Sequence, residues 1–384
     1  MKARIVELES LRGLMALWVI LGHLLTVAGF NPGSWGGPLK LIGRGIEAVD
    51  VFIILSGFVI WALLDREGES YRAFIVRRLL RLYPVYLVCL VAAILTAPLA
   101  VSALKSLPWD GVHNAGRVSI FADSFAYFPA QLGAHLVMLH GLLPESVLPS
   151  SPYAFIGQAW SISLEWQFYL VAPVLFWCNT RYRSALPVLL GCVALMGFYT
   201  VNWLPSSLPP KLWLFVVGMG SYALWKHADR IPARAYVFLL SGCVMAVICK
   251  SPALLIWACV LSALIAAHQG SSSGAARALL GVLQSGPMRH VGKISYSLYL
   301  SHMVVLYLVL FALSPYAQAL GQGLHFAVLA GCVLCLSFVL SDVLHRYVEQ
   351  PGIRLGKRFS ELFDRQGIPA MPAAVADDAA RRIA

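Results

Sequence analysis

Arg12 and His23 sit eleven residues apart in one apolar run, LRGLMALWVILGHLLTVAGF from Leu11 to Phe30. At about 100° and 1.5 Å per residue, an α-helix returns them to within roughly 20° of one face and separates them by about 16 Å along its axis. A guanidinium holds anionic oxygens in a forked geometry, and an imidazole exchanges protons near neutral pH. The two residues define one polar stripe. An arginine at this depth also serves as a topology anchor and a histidine as a bonded core residue, so the pair gains meaning from what accompanies it.

Asp50 opens a second apolar run and Glu165 interrupts a fourth, both at a depth comparable with that of His23. Either carboxylate is a candidate to orient the imidazole or raise its basicity. Around Glu165, the residues Trp160, Ser161, Ser163, Gln167 and Tyr169 load a spanning helix with polar groups that insertion does not need. Arg77, Arg78 and Arg81 end one loop and open the third run. Positions 78 and 81 share a helix face, a two-guanidinium clamp suited to phosphate oxygens. Further along, Ser295, Tyr296, Tyr299 and His302 follow a ninth run inward, with Tyr299 and His302 on a common face. Spacing disfavours a metal: no HExxH is present, and His135 and His140, five apart, fall about 140° apart on a helix. The GxG of Gly218 and Gly220 lies in an apolar run, where small residues allow close helix packing.

These groups need a lipid-embedded scaffold. The 384-residue chain is 59% hydrophobic and only 12% charged, with a mean hydropathy of +0.74, whereas charged residues approach a quarter of a soluble domain. Crossing a bilayer takes about 20 mostly apolar residues. Ten runs qualify: Leu11 to Phe30, Gly45 to Leu64, Leu82 to Leu104, Trp160 to Cys178, Ser184 to Leu204, Leu212 to His227, Arg234 to Cys249, Pro252 to His268, Ile294 to Leu313 and Leu324 to Arg346. The expected fold is all-α, a polytopic integral membrane helical bundle of about ten transmembrane helices. The formal charge of +11 collects in alternate short loops, which places both termini in the cytoplasm. No basic patch interleaved with exposed aromatics occurs, so nucleic acid is excluded as a partner. One long outer segment, about 105–159, holds a 14-residue apolar stretch from Ala130 to Leu143, an interfacial or re-entrant element. Residues 1–358 thus form one transmembrane unit, and 359–384 a short cytoplasmic tail of low order. All eight cysteines fall in apolar segments and read as small core residues.

Six blocks resemble the acyltransferase-3 membrane proteins, which O-acylate sugars and related acceptors at the bacterial envelope. LESLRGLMALWVILGH, Leu8 to His23, is similar to the family's LDGLRG opening and its Arg-x10-His signature, with Glu9 and Ser10 in place of the usual Asp and Gly. VDVFIILSGFVI, Val49 to Ile60, resembles the second-helix motif, and RRLLRLYP, Arg77 to Pro84, carries the Arg-x-x-Arg. AWSISLEWQFYL, Ala159 to Leu170, looks like the WSLxxEEQFY block, with Trp166 where a second carboxylate is common. GKISYSLYLSH, Gly292 to His302, and RYVEQP, Arg346 to Pro351, resemble the last two signatures.

The resemblance implies a multi-pass enzyme of the bacterial inner membrane that moves an acyl group, acetyl being the commonest, from cytoplasmic acyl-CoA to a hydroxyl of a periplasmic or envelope glycan. Arg12, Arg77, Arg78 and Arg81 would hold the donor, and the pantetheine arm would thread along the polar stripe. His23, neutral, would take the acceptor's proton as general base, with Glu165 and Asp50 as the assisting carboxylates; a covalent acyl-histidine is the rival chemistry. Trp160, Ser161, Ser163, Tyr169, Ser295, Tyr299, His302 and Glu349 would face the acceptor or line the path, and Trp160, Trp166 and Tyr153 are candidates to stack on a sugar ring. No metal and no bound cofactor is expected; the partners are acyl-CoA, the glycan and the bilayer, and no oligomeric state follows. A charged interior in ten helices also suits a transporter or exporter of a glycan or an acylated small molecule, although no internal repeat supports that reading.

Overall fold

The computed structural model describes residues 5–67, 69–109, 111–182, 190–192, 195, 206–227 and 234–365. Within them the protein is helical and contains no strand. The helices are α1 (Val6–Val27), α2 (Gly45–Glu67), α3 (Tyr71–Ser106), α4 (Val112–Ala126), α5 (Phe128–Leu136), α6 (Trp160–Tyr182), α7 (Leu208–Lys226), α8 (Arg234–Ile248), α9 (Pro252–His268), α10 (Gly274–Leu283), α11 (Gly286–Leu313), α12 (Ala317–Leu344) and α13 (Gln350–Arg365), with a π-helical turn, His345–Glu349, joining the last two. Four apolar helical stretches among the described residues have the length and composition to cross a bilayer: Val6–Val27, Gly45–Arg66, Tyr71–Ser106 and the run Gly286–Phe363, which contains α11 and α12. The span expected from Ser184 to Leu204 lies outside the described residues apart from 190–192 and 195.

Two glycine contacts set the spacing of the bundle. A Cβ on Gly13 of α1 would lie 2.6 Å from the backbone nitrogen of Gly292 on α11, and one on Gly292 would lie 2.5 Å from the carbonyl oxygen of Glu9. Between α2 and α7, a Cβ on Gly218 would meet the Ile54 carbonyl at 2.0 Å, and one on Gly57 the Phe215 carbonyl at 2.2 Å. Backbones this close exclude lipid and exchange side-chain bulk for dispersion contact along the helix, the packing that small residues permit in membranes. The sequence reading of Gly218 as a packing residue agrees with this contact.

The 105–159 segment is a helical cap. α4 lies over the end of α1, where the Asn114 amide donates to the Val27 carbonyl at 2.9 Å. Gln158 ties the far end of the cap to α11, its amide donating to the Leu300 carbonyl at 2.8 Å. The spacing argument that kept His135 and His140 apart fails because α5 ends at Leu136, between them. The chain turns, and the two buried rings stack with centroids 4.0 Å apart. Nδ1–H of His135 donates to the Gln131 carbonyl at 2.9 Å and Nε2–H of His140 to that of Ala159 at 3.2 Å. Burial pushes His135 down to about 4 and His140 well below the usual histidine range, so both rings are neutral props within the cap.

Two expectations change. Cys249, Cys259, Cys332 and Cys335 are exposed on the protein surface, so they are not core residues; all eight cysteines are free. The low-order tail does not begin at 359, because α13 stays helical to Arg365, held against α3.

The α1–α11 contact yields a direct test. Gly292→Ala should destabilise by about 1–3 kcal/mol, because the new Cβ meets backbone that cannot rotate away. Gly281→Ala, on α10 with nothing within 4 Å of its Cβ position, should leave the melting temperature in detergent unchanged or higher. Equal melting temperatures for Gly292→Ala and the parent would refute the contact.

Candidate active site

From the Gly13–Gly292 contact, α1 and α11 run in the same direction, and each carries a histidine ten residues further on. At 1.5 Å per residue both rise about 15 Å, so His23 and His302 arrive at one height with ring centroids 5.4 Å apart. His302 is fully buried. Its Nδ1–H donates to the Tyr299 carbonyl at 2.7 Å, and Nε2 is buried without a partner. The neighbour of His23 is thus an imidazole and not a carboxylate.

Both carboxylates expected beside His23 are engaged elsewhere. Asp50 pairs with Lys211 of α7 at 2.6 Å. Glu165 accepts from Ser56 Oγ at 3.1 Å, from the Tyr169 hydroxyl in a short hydrogen bond, and faces Arg12 Nη2 at 3.9 Å. Three residues on three helices therefore converge on Glu165: Arg12 from α1, Ser56 from α2 and Tyr169 from its own helix one turn on; from α3 the cations Arg78 and Arg81 come within electrostatic reach of Tyr169. Arg77 is turned aside and pairs with Glu69 at 2.7 Å. Arg78 packs its guanidinium over the Phe74 ring, 5.9 Å from the centroid, so it is Arg81 that reaches the cavity wall.

Two cavities lie in series along the polar stripe of α1. The smaller, about 50 Å³, is lined by Arg12, Arg81, Glu165, Ser56, Ser161 and Ser295 among others. The larger, about 350 Å³, is lined by His23, Thr26, Arg117, Gln158, Trp160 and Tyr307 among others. Tyr299 and Val49 belong to both walls. The Tyr299 hydroxyl donates to the Gln158 carbonyl at 3.0 Å and lies 2.9 Å from Ser161 Oγ. Tyr299 is accordingly the partition between a cationic chamber and the His23 chamber.

The remaining sequence candidates divide. Trp160 and Tyr153 face the larger cavity, whereas Trp166 is a core residue that lines neither. Ser163 is buried under the cap and accepts from the Gly141 backbone N–H at 3.1 Å. Glu349 is no path-lining group: it accepts from Ser297 Oγ at 2.8 Å and pairs with His345 Nδ1 at 2.9 Å in a closed, buried cluster. Arg117, outside the ten apolar runs and not among the residues singled out in the sequence, lines the His23 cavity. The available signal was weak: it is the sole lysine or arginine of α4, three residues after Asn114, to which Nη1 donates at 2.9 Å.

A polar track thus runs along one face of α1 from Arg12 to His23, closed by α2, α6 and α11. The chain belongs to the acyltransferase domain family, the acyltransferase-3 proteins, which it matches over residues 5–346. It is 27% identical to the acyltransferase MdmB of Streptomyces mycarofaciens, over 93% of this chain and 95% of that protein. It is 24% identical to the peptidoglycan O-acetyltransferase OatA of Listeria monocytogenes, over 90% of this chain and 55% of OatA. It is also 25% identical to the exopolysaccharide production protein ExoZ of Rhizobium meliloti, over 52% of this chain and 56% of ExoZ. No solved structure matches the chain. The protein is a membrane acyltransferase.

The Asp50–Lys211 pair separates structure from chemistry. Asp50→Asn should cost about 3–5 kcal/mol, because it strands the Lys211 ammonium in a partly buried site. Asp50→Asn combined with Lys211→Gln should recover most of the melting temperature and retain acyl transfer. Loss of transfer in a double variant that melts like the parent would return Asp50 to the catalytic group.

Proposed function

We propose that the protein is an O-acyltransferase of the bacterial inner membrane, with about ten spans and both termini in the cytoplasm, that carries an acetyl or similar acyl group from cytoplasmic acyl-CoA to a hydroxyl of a periplasmic or envelope glycan. The observation that carries this reading is the pair of cavities in series along α1, cationic at one end and holding His23 at the other, with Tyr299 between them. The phosphates of the donor would meet Arg81 and Arg12 on the cavity wall, where two guanidiniums outnumber the single carboxylate Glu165, with Arg78 adding its charge from behind over Phe74. Glu165 would hold Arg12 in line, since a charge-assisted network of this kind fixes rotamers as well as charge. The flexible pantetheine arm would pass Tyr299, bringing the thioester into the larger cavity without moving the nucleotide across the membrane.

There His23 acts as the general base. It takes the proton of the acceptor hydroxyl as that oxygen adds to the thioester carbonyl, and returns the proton to the departing thiolate. His302 supports it: an imidazole whose Nδ1–H is committed to the Tyr299 carbonyl offers Nε2 as an acceptor, which would fix the tautomer of the His23 ring next to it. Tyr153 and Trp160, on the wall of the same cavity, would stack on the acceptor ring. The names of OatA and ExoZ, an O-acetyltransferase of peptidoglycan and an exopolysaccharide production protein, favour a glycan acceptor, and family membership favours transfer over transport.

Host membrane vesicles given radiolabelled acetyl-CoA should accumulate alkali-labile label in their glycan fraction. His23→Ala should lower that rate by about 10²–10⁴-fold, the contribution of a positioned base. Undiminished transfer by His23→Ala would exclude both the base and the acyl-histidine. Label bound covalently to the protein when the glycan is omitted would replace direct transfer by the acyl-histidine route.

A further inference from the structure

Arg117 is a cation in an acid-free chamber. None of the residues lining the His23 cavity is an aspartate or glutamate, and no carboxylate among the described residues pairs with Arg117. Burial pushes the guanidinium down from its ordinary range, and the one neighbouring group that opposes this is the Tyr307 hydroxyl. A charge held largely away from water without a counter-ion is costly, so its retention asks for an anion that arrives during the work of the protein.

The guanidinium is also clamped. Nη2 donates to Thr26 Oγ1 at 2.7 Å and Nη1 to Asn114 Oδ1 at 2.9 Å. Each acceptor is itself fixed to the last turns of α1. Thr26 Oγ1 donates to the Gly22 and His23 carbonyls at 3.0 and 3.2 Å, and the Asn114 amide donates to the Val27 carbonyl at 2.9 Å. Thr26 is three residues from His23, on the adjacent position of the same helix face. Arg117 is therefore registered to the turn that carries His23, while its remaining N–H donors are unused by these bonds. A group that bound a distant substituent of the acceptor would not need this register.

We infer that Arg117 holds the oxyanion of the acyl-transfer step. This rests on the reading of His23 as the base. As the acceptor hydroxyl adds to the thioester carbon, its proton passes to His23 and the carbonyl π pair moves onto oxygen, giving a tetrahedral oxyanion beside a new imidazolium. Arg117 donates to that oxygen. On collapse the carbon–sulfur bond breaks, the oxygen pair returns to form the ester carbonyl, and the thiolate takes the proton from His23 to leave as free coenzyme A. The net charge of the cavity is the same before, during and after the step, and a preorganised donor in a low-dielectric site is the most effective way to stabilise the intermediate.

The test uses host membranes carrying the full chain, radiolabelled acetyl-CoA and the membranes' own glycan, with His23→Ala measured in parallel. Arg117→Gln should lower kcat by about 10²–10³-fold with KM for acetyl-CoA moved by less than about threefold. Arg117→Lys, which keeps the charge without the fork, should fall between. Thr26→Val leaves the guanidinium in place but removes its anchor, and should lower kcat by about tenfold. Melting temperatures in detergent report folding; if Arg117→Gln does not accumulate, Thr26→Val decides, and an unchanged kcat there overturns the inference. So does Arg117→Gln with a kcat within about threefold of the parent while His23→Ala is inactive. A raised KM for the glycan at constant kcat would instead assign Arg117 to an anionic group of the acceptor, also against the inference. Full activity in His23→Ala would remove the functional reading itself, a result distinct from all of these.

Discussion

The site depends on one contact, the backbone-to-backbone approach of α1 and α11 at Gly13 and Gly292. Two parallel helices held this closely stay in register for several turns, and register is what carries His23 and His302 to the same height. A side chain at either glycine would push the helices apart by about an ångström, enough to disturb the register of the two rings. The other elements are arranged around this pair. α2 and α6 close the track from the sides, the first braced on α7 through Gly57 and Gly218, and the cap formed by α4 and α5 seals the end.

Charge is distributed along the track with little waste. Carboxylates in an apolar bundle are stable only when saturated with donors, and Asp50, Glu69, Glu165 and Glu349 each have a cation, a hydroxyl or both. What is left over is positive and sits on the cavity walls: Arg81 at one end and Arg117 at the other. Two chambers that are positively biased suit a polyanionic donor whose acyl end becomes transiently anionic. Between them stands a tyrosine hydroxyl, a group able to exchange hydrogen bonds with whatever passes.

Much of this was legible in the residues. The Arg12–His23 stripe needs only helical periodicity, and it lines both cavities. The family blocks located α1, α2, α3, α6 and α11 in order, and the polar load around Glu165 marked a helix that faces inward. Failures came where the answer depends on distances between helices. Depth placed Asp50 and Glu165 level with His23, but Asp50 is turned to Lys211, and Glu165 lies in the chamber at the Arg12 end of the track, bonded to Ser56. Arg117 was hidden for another reason: a charge in a segment outside the long apolar runs is explained by topology until the segment is seen to fold back over the site. The stacking of His135 on His140 likewise required knowing where α5 ends.

The most direct test is to determine the structure of the protein with an acetyl-CoA analogue in which a methylene replaces the thioester sulfur. Expected are the phosphates against Arg12 and Arg81, the pantetheine arm passing Tyr299, and the acyl carbonyl in the larger cavity between His23 and Arg117. An acyl carbonyl resting beside Glu165, short of Tyr299, would contradict it.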